Sequence, residues 1–147
     1  VLTDVALPSL PELAVPGQRL MVGVDLTGVG RVESLLAGQP GIEDEVFTPR
    51  ELAYARHRRR PAEHLAARFA AKEAVFKAFG TGLGAGMRWR DVEVVNGASG
   101  RPRLHLHGAA AALAESRGVE RMTISLSHSD GIAIAFVALT AAAGGTS

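Results

Sequence analysis

The sequence contains no cysteine. That absence excludes a disulfide framework, thiolate metal sites and a thiol nucleophile, and it fits a reducing compartment, the cytoplasm. Aromatic residues are scarce, at 5% of 147 residues, so a core must be built mainly from Ala, Leu and Val. An excess of charge is also missing. Lys and Arg total 16 against 15 Asp and Glu, a net charge of +1. A nucleic-acid module, which ordinarily carries a strong basic bias, is therefore not expected. No apolar run approaches the ~18 residues of a membrane helix, so no membrane partner is expected either. Val1-Leu2-Thr3-Asp4 lacks the basic end and apolar core of a signal peptide. What is present, 47% apolar and 21% charged residues, is the balance of one globular domain.

Residues 1–18, with Pro8, Pro11, Pro16 and Gly17, read as an irregular leader or linker. Residues 19–141 read as the folded domain. Residues 142–147, with Gly144 and Gly145, read as a flexible tail. Within the domain, Leu20 to Val24 predicts a buried strand ending at Asp25, and Arg31 to Ala37 a short helix stopped by Gly38. Thr48-Pro49-Arg50-Glu51 predicts a helix start with a capping box. Ala62 to Phe79 predicts the longest helix, with Leu65, Phe69 and Phe76 on one face and Gly80 ending it. Arg90 to Val95 and Arg103 to His107 predict a strand pair around an Asn96-Gly97 turn. Ala109 to Arg117 predicts a helix. Met122 to Ser127 and Ile132 to Leu139 predict a hairpin through Ser129-Asp130-Gly131. Helices early and strands late favour an α+β fold, with an antiparallel sheet, over a doubly wound one.

Several constellations bear on chemistry. Gly80-Thr81-Gly82-Leu83-Gly84-Ala85 matches G-x-G-x-x-A in form, but it follows a helix, and a dinucleotide loop follows a strand. A helix stop is the plainer reading. His105 and His107 share a strand face and could hold a metal, yet no third ligand is indicated. Arg56-His57-Arg58-Arg59-Arg60 reads as a solvated helix end or as a docking patch for an acidic partner. Ser127-His128-Ser129-Asp130 holds the residue types of a hydrolase triad, but adjacent residues cannot converge as a triad does. A turn is the plainer reading; a phosphate grip is the functional one. Glu73 and Lys77 stand at i and i+4, the spacing of an ordinary helix ion pair. Here, however, they and Lys72 crowd among Phe69, Val75 and Phe76, where charges need partners.

In order and spacing these pieces resemble the 4′-phosphopantetheinyl transferases, of the small holo-acyl-carrier-protein synthase type. The resemblance rests on Gly23-Val24-Asp25 with Arg31, and on Arg68-Phe69-Ala70-Ala71-Lys72-Glu73-Ala74 running on to Lys77 and Gly80-Thr81-Gly82. It rests also on Gly100-Arg101-Pro102-Arg103 and on Ser125-Leu126-Ser127-His128-Ser129. It implies transfer of 4′-phosphopantetheine from coenzyme A to a serine of an acyl, polyketide or peptidyl carrier protein, with Mg²⁺, releasing 3′,5′-ADP. Asp25 and Glu73 would hold the metal, with Glu73 also taking the serine proton and Lys77 meeting the pyrophosphate. Arg68, Gly80, Thr81, Gly82, Ser127, His128 and Ser129 would bind coenzyme A. Arg31 would dock the carrier, and a homotrimer with sites between subunits is implied. Two positions depart from the family. Thr27 and Gly28 stand where an acid is common, and Val32-Glu33-Ser34-Leu35-Leu36 stands where basic docking residues are common. An inactive, carrier-binding relative is the alternative expectation.

Overall fold

Alternation along Gln18–Gly28 makes an 11-residue strand, β1, whose odd-numbered positions face inward from Met21 onward. The computed structural model describes residues 17–84 and 86–143. The prolines of the leader, Ala85 and the tail glycines lie outside them. After β1 come helices α1 (Val29–Gly38), α2 (Ile42–Val46), α3 (Pro49–Arg56) and α4 (Pro61–Phe79). A 3₁₀ turn at Trp89–Asp91 leads to strands β2 (Val92–Asn96) and β3 (Pro102–Leu106), helix α5 (Gly108–Ser116), and strands β4 (Val119–Ser129) and β5 (Ile132–Ala142). Among the described residues no helix is long and apolar enough to cross a membrane.

Two antiparallel sheets sandwich α4. One has the order β1-β5-β4, and the other is the β2-β3 pair. The first sheet joins the two ends of the domain, pairing Gln18 with Ala142 and Gly28 with Ile132. Asp130 and Gly131, both at positive φ, make the tight turn of the expected hairpin. The core gathers Ala70, Ala74, Val75, Phe76, Val137 and Leu139 around α4. Small residues dominate, as the shortage of aromatics requires. Trp89 fills the remaining space, stacked on Phe69 at 4.9 Å and tilted against Phe76 at 5.6 Å.

Differences from the sequence reading lie mainly at ends. β1 starts at Gln18, inside the expected leader, and runs past Asp25, so that acid is mid-strand and buried rather than at a strand end. β5 reaches Ala142, the first residue of the expected tail. The expected strand from Arg90 begins at Val92, because Asp91 accepts a bond from the Arg88 backbone and closes the 3₁₀ turn. Helix α2 was not foreseen. The outer face of the three-stranded sheet is also unexpectedly apolar. Leu20, Val22, Val24 and Leu26 of β1, with Ile132, Ile134 and Phe136 of β5, are all exposed there.

Candidate active site

The close crossing of α4 over β1 creates the site. Gly23 permits it: a Cβ at this position would lie 1.9 Å from the Ala74 carbonyl oxygen and 2.9 Å from the Ala78 nitrogen. With helix and strand in contact, Asp25 on β1 meets Glu73 and Lys77 on α4. Asp25 is 7% exposed. Its Oδ2 accepts from Thr27 Oγ1 at 2.9 Å, and its Oδ1 accepts from Lys77 Nζ at 2.8 Å. The same ammonium donates to the Val24 carbonyl at 3.1 Å.

Glu73 lies against Asp25. Burial, then the Asp25 charge and a hydrogen bond with Asp25, raise its carboxyl above the usual range; Arg31 and Lys77 only partly offset them. Lys77 is held above its ordinary value, first by its hydrogen bond to Asp25. Thr27 serves Asp25 as a hydroxyl donor. Among the described residues no set of three acids or histidines converges on a metal position, at His105 and His107 or elsewhere. The His105 and His107 rings stack at 4.8 Å, and His107 Nε2 lies 3.1 Å from Glu93.

The other expected site residues fall into three places. Gly80, Thr81 and Gly82 follow directly on Lys77. Gly80 takes the left-handed cap conformation, and the Thr81 backbone bonds to Phe76. This makes the glycine cluster a helix stop beside the Lys77 end of the site. Arg31 is exposed on α1, its guanidinium 5.8 Å from the Phe69 ring and near enough to act on Glu73. Arg68 and His128 lie apart, towards the start of α4. Arg68 is 2% exposed. It donates to Asn96 Oδ1 at 2.6 Å and covers the Tyr54 ring at 4.1 Å. Asn96 in turn donates to the Gly100 carbonyl, which ties the Gly100-Arg101-Pro102-Arg103 turn to Arg68.

The strand pleat separates the serines from the histidine. His128 pairs with Ala133 and faces α4, whereas Ser127 and Ser129 pair with Ile134 and Ile132 on the outer face. Within one chain the two hydroxyls and the imidazole do not converge.

Lys72 was the charge that most needed a partner, and it has several. It is fully buried, bonds both oxygens of Glu51 at 2.9 and 3.1 Å, and donates to the carbonyls of Trp89 and Val92. Glu51 also accepts from the backbone of Thr48 and Val94, so the expected capping box on α3 is the outer end of a buried network. A cavity of about 1060 Å³ lies along this side, lined by Thr48, Arg50, Leu83, Met87, Trp89 and Glu93, and does not include the Asp25–Glu73 pair.

Residues 21–137 match the 4′-phosphopantetheinyl transferase superfamily. The chain belongs to that family. It is 48% identical to the holo-[acyl-carrier-protein] synthase of Moorella thermoacetica over 109 residues, covering 74% of this chain and 84% of the relative. It is 44% identical to that of Geobacter sulfurreducens over 118 residues, covering 80% of this chain and 94% of the relative. Among solved structures, the ACPS–CoA complex of Chronobacterium ammoniagenes superposes with a TM-score of 0.75 at 34% identity. That match covers 84% of this chain and 98% of the other. The Neisseria meningitidis holo-[acyl-carrier-protein] synthase gives 0.74 at 30% identity, covering 81% of this chain and 96% of the other. The transferase is thus of the holo-acyl-carrier-protein synthase type with the α+β fold expected. Nothing in these likenesses supports the inactive alternative.

Proposed function

We infer that this transferase moves 4′-phosphopantetheine from coenzyme A to a serine of an acyl carrier protein, or of a polyketide or peptidyl carrier. The observation that carries the reading is the meeting of Asp25, Glu73 and Lys77 where Gly23 lets α4 touch β1. Two crowded carboxylates beside an ammonium suit a polyphosphate and a divalent cation. Mg²⁺ fits this donor set, because it ordinarily takes one or two carboxylates and fills its remaining positions with phosphate oxygens and water. Asp25 and Glu73 would hold it, and when bound it would neutralise charge on the pyrophosphate.

The chain's own groups do the rest. Lys77 exchanges its contact with Asp25 for the pyrophosphate oxygens. Glu73, whose raised affinity for a proton suits a base, accepts the proton of the attacking serine. The serine oxygen bonds to the β-phosphorus, the bond from that phosphorus to the bridging oxygen breaks, and 3′,5′-ADP leaves. Gly80, Thr81 and Gly82 bring flexible backbone to the ligand beside Lys77. His128 and Arg68 receive the ribose 3′-phosphate. Arg31, at the rim of the acid pair, meets the carrier.

A homotrimer completes the site. His64, which touches His128, and Glu73 are nine residues apart on α4, about 14 Å of helix axis, a long reach for two phosphates that hang from a single ribose, so one of the two ends is assigned to a neighbouring copy. The exposed apolar face of the three-stranded sheet supplies the contact surface. Ser127 and Ser129 face that same side and so reach a neighbour's ligand. The cysteine-free chain fits action in the cytoplasm.

The test is mass spectrometry of an apo carrier protein incubated with coenzyme A, Mg²⁺ and this chain. Gain of the phosphopantetheine mass is expected. No gain with any acyl, polyketide or peptidyl carrier would leave a binding module.

A further inference from the structure

At the start of α4, away from the acid pair, cationic side chains gather with little to balance them. The His64 ring meets the His128 ring edge-on at 6.0 Å and the Tyr54 ring at 5.6 Å. Tyr54 also carries Arg58 at 4.3 Å and Arg68 at 4.1 Å. The surrounding elements contribute Tyr54 from α3, Arg58 from the turn after it, Glu63, His64 and Arg68 from α4, and His128 from β4. Glu63 is the acid among them, 3.4 Å from His128 Nδ1, which leaves Nε2 as the ring nitrogen available to a ligand. Glu51 acts on Arg68 but is committed to Lys72. Glu63 also pairs with Arg60 at 3.2 Å, so three guanidinium groups and two imidazoles share one carboxylate. Arg68 Nε, moreover, is buried with no hydrogen-bond partner.

We propose that His64 is a ligand-binding residue, completing with Arg58 a phosphate monoester site begun by His128 and Arg68. The proposal rests on the reading above that His128 receives the 3′-phosphate of coenzyme A. A dianion here would offset the guanidinium charges of Arg58 and Arg68 and gain charge-assisted hydrogen bonds. His64 adds a proton linkage. Before ligand arrives, burial, then Arg68, Arg58 and His128, hold its imidazole below its ordinary value, so it is neutral near pH 7. The phosphate reverses that balance, and binding takes up a proton. Affinity therefore strengthens as pH falls from 8 to 6.5, down to the region near pH 6 where a phosphate monoester itself protonates.

The experiment is calorimetric titration of the full chain with 3′,5′-ADP and with 5′-AMP, which differ only in the 3′-phosphate. It is run at pH 6.5 and 8.0, in two buffers of different ionisation enthalpy. The parent is expected to prefer 3′,5′-ADP, more so at pH 6.5, with proton uptake absent for 5′-AMP. His64→Gln should lose roughly tenfold of that preference at pH 6.5 and little at pH 8.0. His64→Lys, with a fixed charge, should restore the preference at both pH values, which a packing role for the ring would not. His64 is half-buried, so thermal melts near the parent's are expected for both variants. A His64→Gln protein with the parent's preference and pH dependence would overturn the assignment while leaving coenzyme A binding intact. A parent that binds both nucleotides equally would remove the His128 reading as well. A parent that binds neither would remove the 3′-phosphate site, with His64 and His128 alike.

Discussion

A methyl group at position 23 would have to occupy space held by the backbone of α4, which cannot turn aside as a flexible side chain does. Gly23→Ala should therefore lift the helix from β1, costing about 1–3 kcal/mol or more and reducing turnover sharply. Chemical denaturation and kcat measure the two effects. Glu73→Gln keeps the size of the side chain but removes the charge proposed to hold the metal and to take the serine proton. It should lower kcat by roughly 10²–10³-fold. Its stability should move the other way. Folding raises the Glu73 carboxyl, so ionising it costs stability as pH climbs from the ordinary carboxylate range through the raised value. Above that window Glu73→Gln should melt at or above the parent, while in the parent kcat/KM should fall as pH drops through it. A melt lower than the parent's at pH 8 with unchanged kinetics would return Glu73 to an ordinary helix surface. Of this site, Asp25, Glu73 and Lys77 were legible as residue types. Their contact was not, because it depends on how closely a strand and a helix 50 residues apart approach.

Helix α4 was readable from Leu65, Phe69 and Phe76, yet that stripe understates it, since buried residues surround nearly the whole helix. A helix enclosed by two sheets has no solvated face for periodicity to mark. The same enclosure hid the partner of Lys72, which lies 21 residues away on α3. Helix α2 escaped because five residues, three of them acidic, carry no apolar period. The Lys72–Glu51 pair is the joint between α3, α4 and β2. Lys72→Met strands a buried carboxylate and should cost about 3–5 kcal/mol in denaturant unfolding. A loss under about 1 kcal/mol would mean that water reaches Glu51. A second acid on this side, Glu93, shows the opposite electrostatics from Glu73. Burial pushes it up, but hydrogen bonds from Thr48 and His107 outweigh that and hold it below the ordinary value. Its contribution to stability is present at neutral pH and fades as pH falls through the depressed value.

The three-stranded sheet of the whole molecule has one face on α4 and one apolar face open to solvent. Phe136, 44% exposed there, stands on the central strand. If the proposed trimer forms through this face, Phe136→Lys should leave the single chain folded but dissociate the assembly, seen as a fall in mass by light scattering, with loss of turnover. A fully active monomer would remove both the assembly and the shared site. The order of that sheet also bears on synthesis. Its central strand, β5, pairs with β1 from one side and β4 from the other, and it is the last described strand to be made. Until Ile132 to Ala142 have cleared the ribosome, β1 has no strand partner, although α4 with Glu73 and Lys77 is already made. Closure waits on contacts between residues more than 100 positions apart, the kind that slow folding. A nascent chain arrested before Ile132 should therefore stay open to protease at β1. One in which Ile132 to Ala142 have emerged from the ribosome should be protected there.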